Sequence, residues 1–117
     1  MERLFAMPLA SVYPAYVAKV ERKGRSEAEV REVMCWLTGM DSSSLDHHLT
    51  AGTSLEDFFG AAHLNPAASL ITGSICGVRI EEIDDSLMKQ IRYLDKLVDE
   101  IAKGRPMTKI LRTGAAE

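Results

Sequence analysis

The chain has 117 residues, 46% of them apolar and 26% charged, with a formal net charge of −3 and two cysteines. A chain of this length buries roughly two-thirds of its unfolded surface, and no apolar run nears the ~20 residues that cross a bilayer. That excludes a membrane-spanning or disordered chain and predicts a single domain over residues 1–117, with 113–117 as a frayed tail.

Met1 to Ala10 carries Glu2 and Arg3 and lacks a long apolar stretch before a small-residue cleavage site, so a cytoplasmic location is expected. Cys35 and Cys76, each among apolar neighbours, are expected as two buried thiols rather than a disulfide.

Ser11 can cap a first helix with Pro14 in its early turn and an apolar stripe of Val12, Tyr13, Tyr16, Val17 and Val20, ended by Gly24. Ser26 and Glu29 make a capping-box pair for a second helix, in which Val30, Val33, Met34 and Leu37 recur at helical spacing until Gly39. Serines 42 to 44 open a short helix stopped by Gly52, and Thr53 with Glu56 reads as the capping box of another, carrying Leu55, Phe58 and Phe59.

Ala67 to Val78 fits either a buried strand or a helix whose Ser69, Gly73 and Gly77 form a small-residue face. Helix is favoured, because the only other candidate strand to pair with it is Leu4 to Met7. Arg79 to Ile83 reads as extended. Asp84 or Asp85 then caps a long helix with Leu87, Ile91, Leu94, Val98 and Ile101 on one face. Pro106 opens a last short helix with Ile110 and Leu111. The expected fold class is all-α: a compact orthogonal bundle of five to seven mostly short helices with one long C-terminal helix.

Charge is polarised along this framework. Residues 1–25 carry +3, residues 26–85 carry −9 and residues 86–117 carry +3, and the letters Lys-Gly-Arg occur at both Lys23-Gly24-Arg25 and Lys103-Gly104-Arg105. If the two hinges meet, they form one positive patch on an acidic body. Arg25 and Arg105 stand at the mouths of new helices, where unpaired amides favour anions, while Arg22, Lys23 and Lys103 can instead complement the preceding helix ends.

The sequence announces no chemistry. His47 and His48 lie about 100° apart on a helix and cannot face one metal together, and Asp46 and His63 complete no ligand spacing. No metal and no cofactor are expected. The acidic run Glu81, Glu82, Asp84 and Asp85 reads as cap and dipole partners of the long helix.

Four strings, SVYPAYVAKVERKGRSEAEV from residue 11, CWLTG at 35–39, LNPAASLITGSICGVRIEEI at 64–83 and IRYLDKLVDEIAKGRPMTKILR at 91–112, together resemble the bacterial family called domain of unknown function 2200. The resemblance covers nearly the whole chain. It implies a small all-helical, orthogonally packed bacterial domain that stands alone, and it implies no activity. Ser86 departs from the proline that commonly opens the long helix in that family.

The functional expectation is a non-enzymatic binding module for a protein or a small anionic ligand, able to form a homodimer. Its recognition edge is expected from Tyr13, Tyr16, Arg25, Arg79, Arg92 and Tyr93. The alternatives are a small enzyme acting on an anionic metabolite, with Tyr93 or a carboxylate near Glu82 as acid or base, and weak nucleic-acid binding through the basic ends. Glu27, Glu29 and Glu32 against Arg31 on the helix after the first hinge argue against nucleic acid.

Overall fold

Glycine and proline punctuate the chain into seven helices over residues 3–112, which the computed structural model describes. Five come first: α1 (Arg3–Ala6), α2 (Leu9–Glu21), α3 (Glu27–Thr38), α4 (Ser42–Ala51) and α5 (Leu55–Gly60). A 3-10 turn at Pro66–Leu70 leads into an antiparallel hairpin of β1 (Ser74–Ile75) and β2 (Val78–Arg79). A second 3-10 turn at Ile80–Glu82 precedes α6 (Ser86–Ala102) and α7 (Met107–Ile110). The all-α expectation holds, with α6 the longest element at 17 residues. No helix among the described residues is long and apolar enough to cross a membrane. The expected tail at Thr113 to Glu117 lies outside the described residues.

Helices this short gain their stability from packing. One core runs through Leu9 and Val20 of α2, Val30, Val33, Met34 and Leu37 of α3, and Phe58 of α5. It continues into Ile91, Leu94, Leu97, Val98 and Ile101 on one face of α6. Each such side chain taken out of water contributes about 1.5–3 kcal/mol. The radius of gyration, 13.4 Å, is that of a compact domain of this length.

Several boundaries differ from the sequence reading, each for a tertiary reason. Pro8, not Ser11, precedes the first turn of α2, because Leu9 N donates to Thr53 O at 2.7 Å and Leu55 N to Met7 O at 2.8 Å, tying the entry of α2 to the entry of α5. Pro14 therefore sits inside α2, where its missing N–H leaves the carbonyl of exposed Ala10 to solvent. The same tie moves the cap of α5 to Ser54, whose Oγ accepts from Asp57 N at 3.1 Å, since Thr53 is engaged with Leu9 and with His48 Nδ1. Leu4 to Met7, the one candidate partner for a strand, is helical as far as Ala6 in α1, and Pro8 forms an isolated bridge to Ser54. Asp85 rather than Asp84 caps α6, accepting from Met88 N at 2.7 Å.

Ala67 to Val78 is neither the favoured helix nor one buried strand. Asn65 Oδ1 accepts from Ala67 N at 2.8 Å and starts a single 3-10 turn, after which the chain doubles back with Ile75 opposite Val78. The two residues between them, Cys76 and Gly77, both have positive φ, 53° and 80°, as a two-residue hairpin demands. This lifts Cys76 to the surface, while Cys35 is half-buried, so the expectation of two buried thiols does not hold. The extended reading of Arg79 to Ile83 survives at Arg79 and Ile83, while Ile80–Glu82 between them form a 3-10 turn that buries Ile80 fully.

The hinges are near copies of each other. Gly24 N donates to Glu21 O and Arg25 N to Val20 O, both at 3.0 Å, while Gly104 N donates to Ile101 O at 3.0 Å and Arg105 N to Glu100 O at 3.1 Å. Both are Schellman closures. Beyond the second, α7 returns onto α6 and is held by Glu100, whose 6%-exposed carboxylate accepts from Arg112 at 2.6 and 2.8 Å and from Arg105 at 3.1 Å. A carboxylate so deeply placed is tolerable only when paired.

Two stability outcomes follow. A Cβ at Gly39 would stand 2.8 Å from His63 O on a residue whose φ is +73°, whereas at Gly52, with φ +69°, it meets open space. Gly39→Ala is expected to lower urea stability by about 3 kcal/mol and Gly52→Ala by about 1 kcal/mol. Glu100→Ala, which strands two arginines, is expected to cost about 3–5 kcal/mol in the same measurement.

Candidate functional site

Three polar contacts lie in ascending order between α2 and α6, so the two helices run side by side in the same direction. Tyr16 Oη donates to Asp95 Oδ1 at 2.6 Å, Lys19 Nζ reaches Asp99 Oδ1 at 3.1 Å, and Arg25, just past α2, donates Nη1 to Arg105 O at 2.9 Å and Ile101 O at 3.3 Å. The C-terminal ends of both helices thus face the same way, and an open groove of about 660 Å³ lies between them.

Its α2 wall presents Lys19, Arg22 and Lys23, and its α6 wall Asp99, Ala102, Lys103 and Gly104. Asp99 bridges the walls, with Oδ1 on Lys19 Nζ and Oδ2 on Lys103 Nζ, both at 3.1 Å. Burial pushes the Asp99 carboxyl up, but the two ammonium groups outweigh it and hold it below the usual carboxylate range. Arg22 and Lys23 are exposed and make no ion pair among the described residues.

The six residues expected to form one edge occupy different surroundings. Tyr16 and Arg92 come together on Asp95, the latter through Nη1 at 2.8 Å, and Arg92 Nε is buried without a hydrogen-bond partner. Burial, then the charge of Asp95, raises the Tyr16 hydroxyl well above its ordinary value. Tyr13 instead donates to Glu27 at 2.5 Å and accepts from Arg31, and it lines a separate notch of about 280 Å³. Burial, with the bond to Glu27, pushes its pKa up to about 12.

Tyr93 is buried in the core, and burial raises its hydroxyl. Arg79 is 62% exposed beside Glu81 and Glu82. Arg25 has Nε and Nη2 on Glu29 at 2.7 and 3.0 Å and Nη1 on the α6 carbonyls, so it braces the two hinges. The backbone amides of Arg25 and Arg105 are consumed in the helix closures and are not open to an anion.

Sequence reading left the groove residues unchosen, treating Arg22, Lys23 and Lys103 as partners of helix ends. A signal was present in the equal i, i+4 spacing of Lys19/Lys23 and Asp99/Lys103, which puts each pair on one helix face. Only the parallel pairing of α2 with α6 turns those faces toward each other.

The depressed Asp99 carboxyl stabilises the fold above its unfolded pKa of about 3.9 and loses that contribution as pH falls through its lower folded value. Asp99→Asn is therefore expected to cost about 1 kcal/mol at pH 7, with the gap to the parent chain closing below about pH 4. Urea midpoints across that range check it.

The comparisons with known proteins match this architecture. A family model described as an uncharacterized protein conserved in bacteria spans residues 3–112. The crystal structure of the uncharacterized protein SP1917 is similar at a TM-score of 0.89 and 49% identity, covering 95% of this chain and 93% of that one. No curated protein matches the sequence. With the match running through both hinges and every helix described above, the chain belongs to the DUF2200 family of uncharacterized proteins conserved in bacteria.

Proposed function

We propose that the protein is a non-enzymatic binding module that holds a small anionic ligand in the groove between α2 and α6. The observation that carries this reading is the placing of four cationic side chains, Lys19, Arg22, Lys23 and Lys103, around a single carboxylate in one groove of about 660 Å³. The whole chain is net negative at −3, so positive potential concentrated there is a local feature and not a general property of the surface. The volume falls within the range of roughly 300–1,000 Å³ common to ligand sites.

Binding is favoured over catalysis by what lines the groove. Asp99 has both oxygens engaged by ammonium groups, and its lowered pKa keeps it from acting as an acid near neutrality. The lysines and arginine supply charge and reach.

Citrate in thermal unfolding tests the reading. A saturable rise in Tm of about 2–5 °C over chloride at equal ionic strength is expected, by the mass-action stabilisation of the liganded fold. Lys23→Glu with Lys103→Glu is expected to abolish the rise. A Tm that follows ionic strength alone in both proteins would remove the proposal.

A further inference from the structure

We infer that the hinge end of the groove, where Arg22 and Lys23 of α2 face Lys103 of α6, is a subsite for a phosphoryl group; this rests on the anion-binding reading above and names its ligand class. Asp99 is the anion the groove already holds. Its carboxylate spans the walls with one oxygen on Lys19 and the other on Lys103, both at 3.1 Å. Lys19 of one wall and Lys103 of the other are therefore close enough for one small oxyanion to join them.

That internal anion occupies the Lys19 end and neutralises one of the four lining cations. Toward the hinges, Lys103 shares Asp99 with Lys19, and Arg22 and Lys23 have no ion pair among the described residues, so the lining keeps an excess of positive charge. A carboxylate ligand would bring one negative charge, whereas a phosphate monoester brings about 1.5 to 2 at pH 7 and three acceptor oxygens. The donors there suit it. The Arg22 guanidinium is a planar fork matched to tetrahedral oxyanions, and the Lys103 ammonium, on a side chain 70% exposed, has hydrogens to spare beyond the one directed at Asp99. Gly104 leaves open space beside the backbone where the ligand would enter.

Backbone amides take no part, because those of Gly24, Arg25, Gly104 and Arg105 close their helices. Recognition thus falls to side-chain charge. Asp99 closes the inner end, and the −9 carried by residues 26–85 repels a long polyanion, so the subsite takes one compact phosphoryl group and not a nucleic-acid track.

The test is an amide NMR titration of the full chain with inorganic phosphate, phosphoserine, a sugar monophosphate and acetate at constant ionic strength. Phosphate is expected to shift the Lys23, Gly24, Lys103 and Gly104 amides saturably and at least about tenfold more tightly than acetate. Phosphoserine binding should strengthen between about pH 5 and 7 as its second proton leaves, and acetate should show no such gain. Whichever of phosphoserine and the sugar monophosphate binds more tightly identifies a modified protein or a metabolite as the source. Arg22→Gln with Lys23→Gln is expected to weaken phosphate at least about tenfold while core amides such as Leu94 stay in place, and Asp99→Asn to strengthen it. Acetate binding as tightly as phosphate would overturn the phosphoryl assignment and leave anion binding standing. Phosphate affinity unchanged in the double variant would place the anion elsewhere and overturn the subsite, and no shift with any probe would overturn both readings.

Discussion

The parallel contact between α2 and α6 is the constraint on which the rest of the structure depends, and it is locked at its end by one side chain. Arg25 leaves the first hinge and donates to the carbonyls of Ile101 and Arg105 at the second, while Glu29 of α3 holds the rest of its guanidinium. Helix ends leave carbonyls without intrahelical partners, and a cation there also meets the negative end of the dipole. One arginine thus satisfies α6, aligns it with α2 and orients α3. Two termini far apart in sequence are brought together by a bond between equivalent hinges.

The second consequence of that alignment is electrostatic. Basic residues near a helix C-terminus are individually favourable, since each complements its own dipole. Placing two such ends side by side gathers Lys19, Arg22, Lys23 and Lys103 into one groove, where Asp99 pairs with two of them. An arrangement that concentrates like charge and compensates it in part does little for folding alone, and that excess charge is what the proposed anion site draws on. The brace and the groove share one cause, so a ligand bound between the helices would also reinforce the contact that organises the fold.

Other parts of the molecule are less coupled to this axis. The start of α2 is positioned by backbone bonds to Thr53 and Met7 rather than by its own cap, and the hairpin is laid on α6 by Ile75 and by Lys96, whose Nζ donates to Ser74 O at 3.1 Å. The hairpin turn places Cys76 at a positive φ that a non-glycine residue adopts at some cost. Tyr16, Arg92 and Asp95 form a polar seam between α2 and α6, where burial and the neighbouring carboxylate raise the Tyr16 hydroxyl well above its ordinary value.

The sequence by itself determined the helices that carry strong periodicity and local stops. The stripe from Ile91 to Ile101 behind the Asp85 cap and the run from Val30 to Leu37 ending at Gly39 are legible because period and capping are local properties. The Lys-Gly-Arg repeat likewise signalled two like hinges. Only the tertiary structure decided what lies between Ala67 and Val78, since a short apolar run with glycines fits several backbones until its neighbours choose one. It also moved the caps at Ser11 and Thr53, where backbone bonds across the fold compete with local side chains. The candidate groove was the least legible part. Tyr13, Tyr16, Arg25, Arg79, Arg92 and Tyr93 share useful chemistry, yet direction around a helix and choice of partner are set by packing, and packing turned Lys19, Arg22, Lys23 and Lys103 toward one another instead.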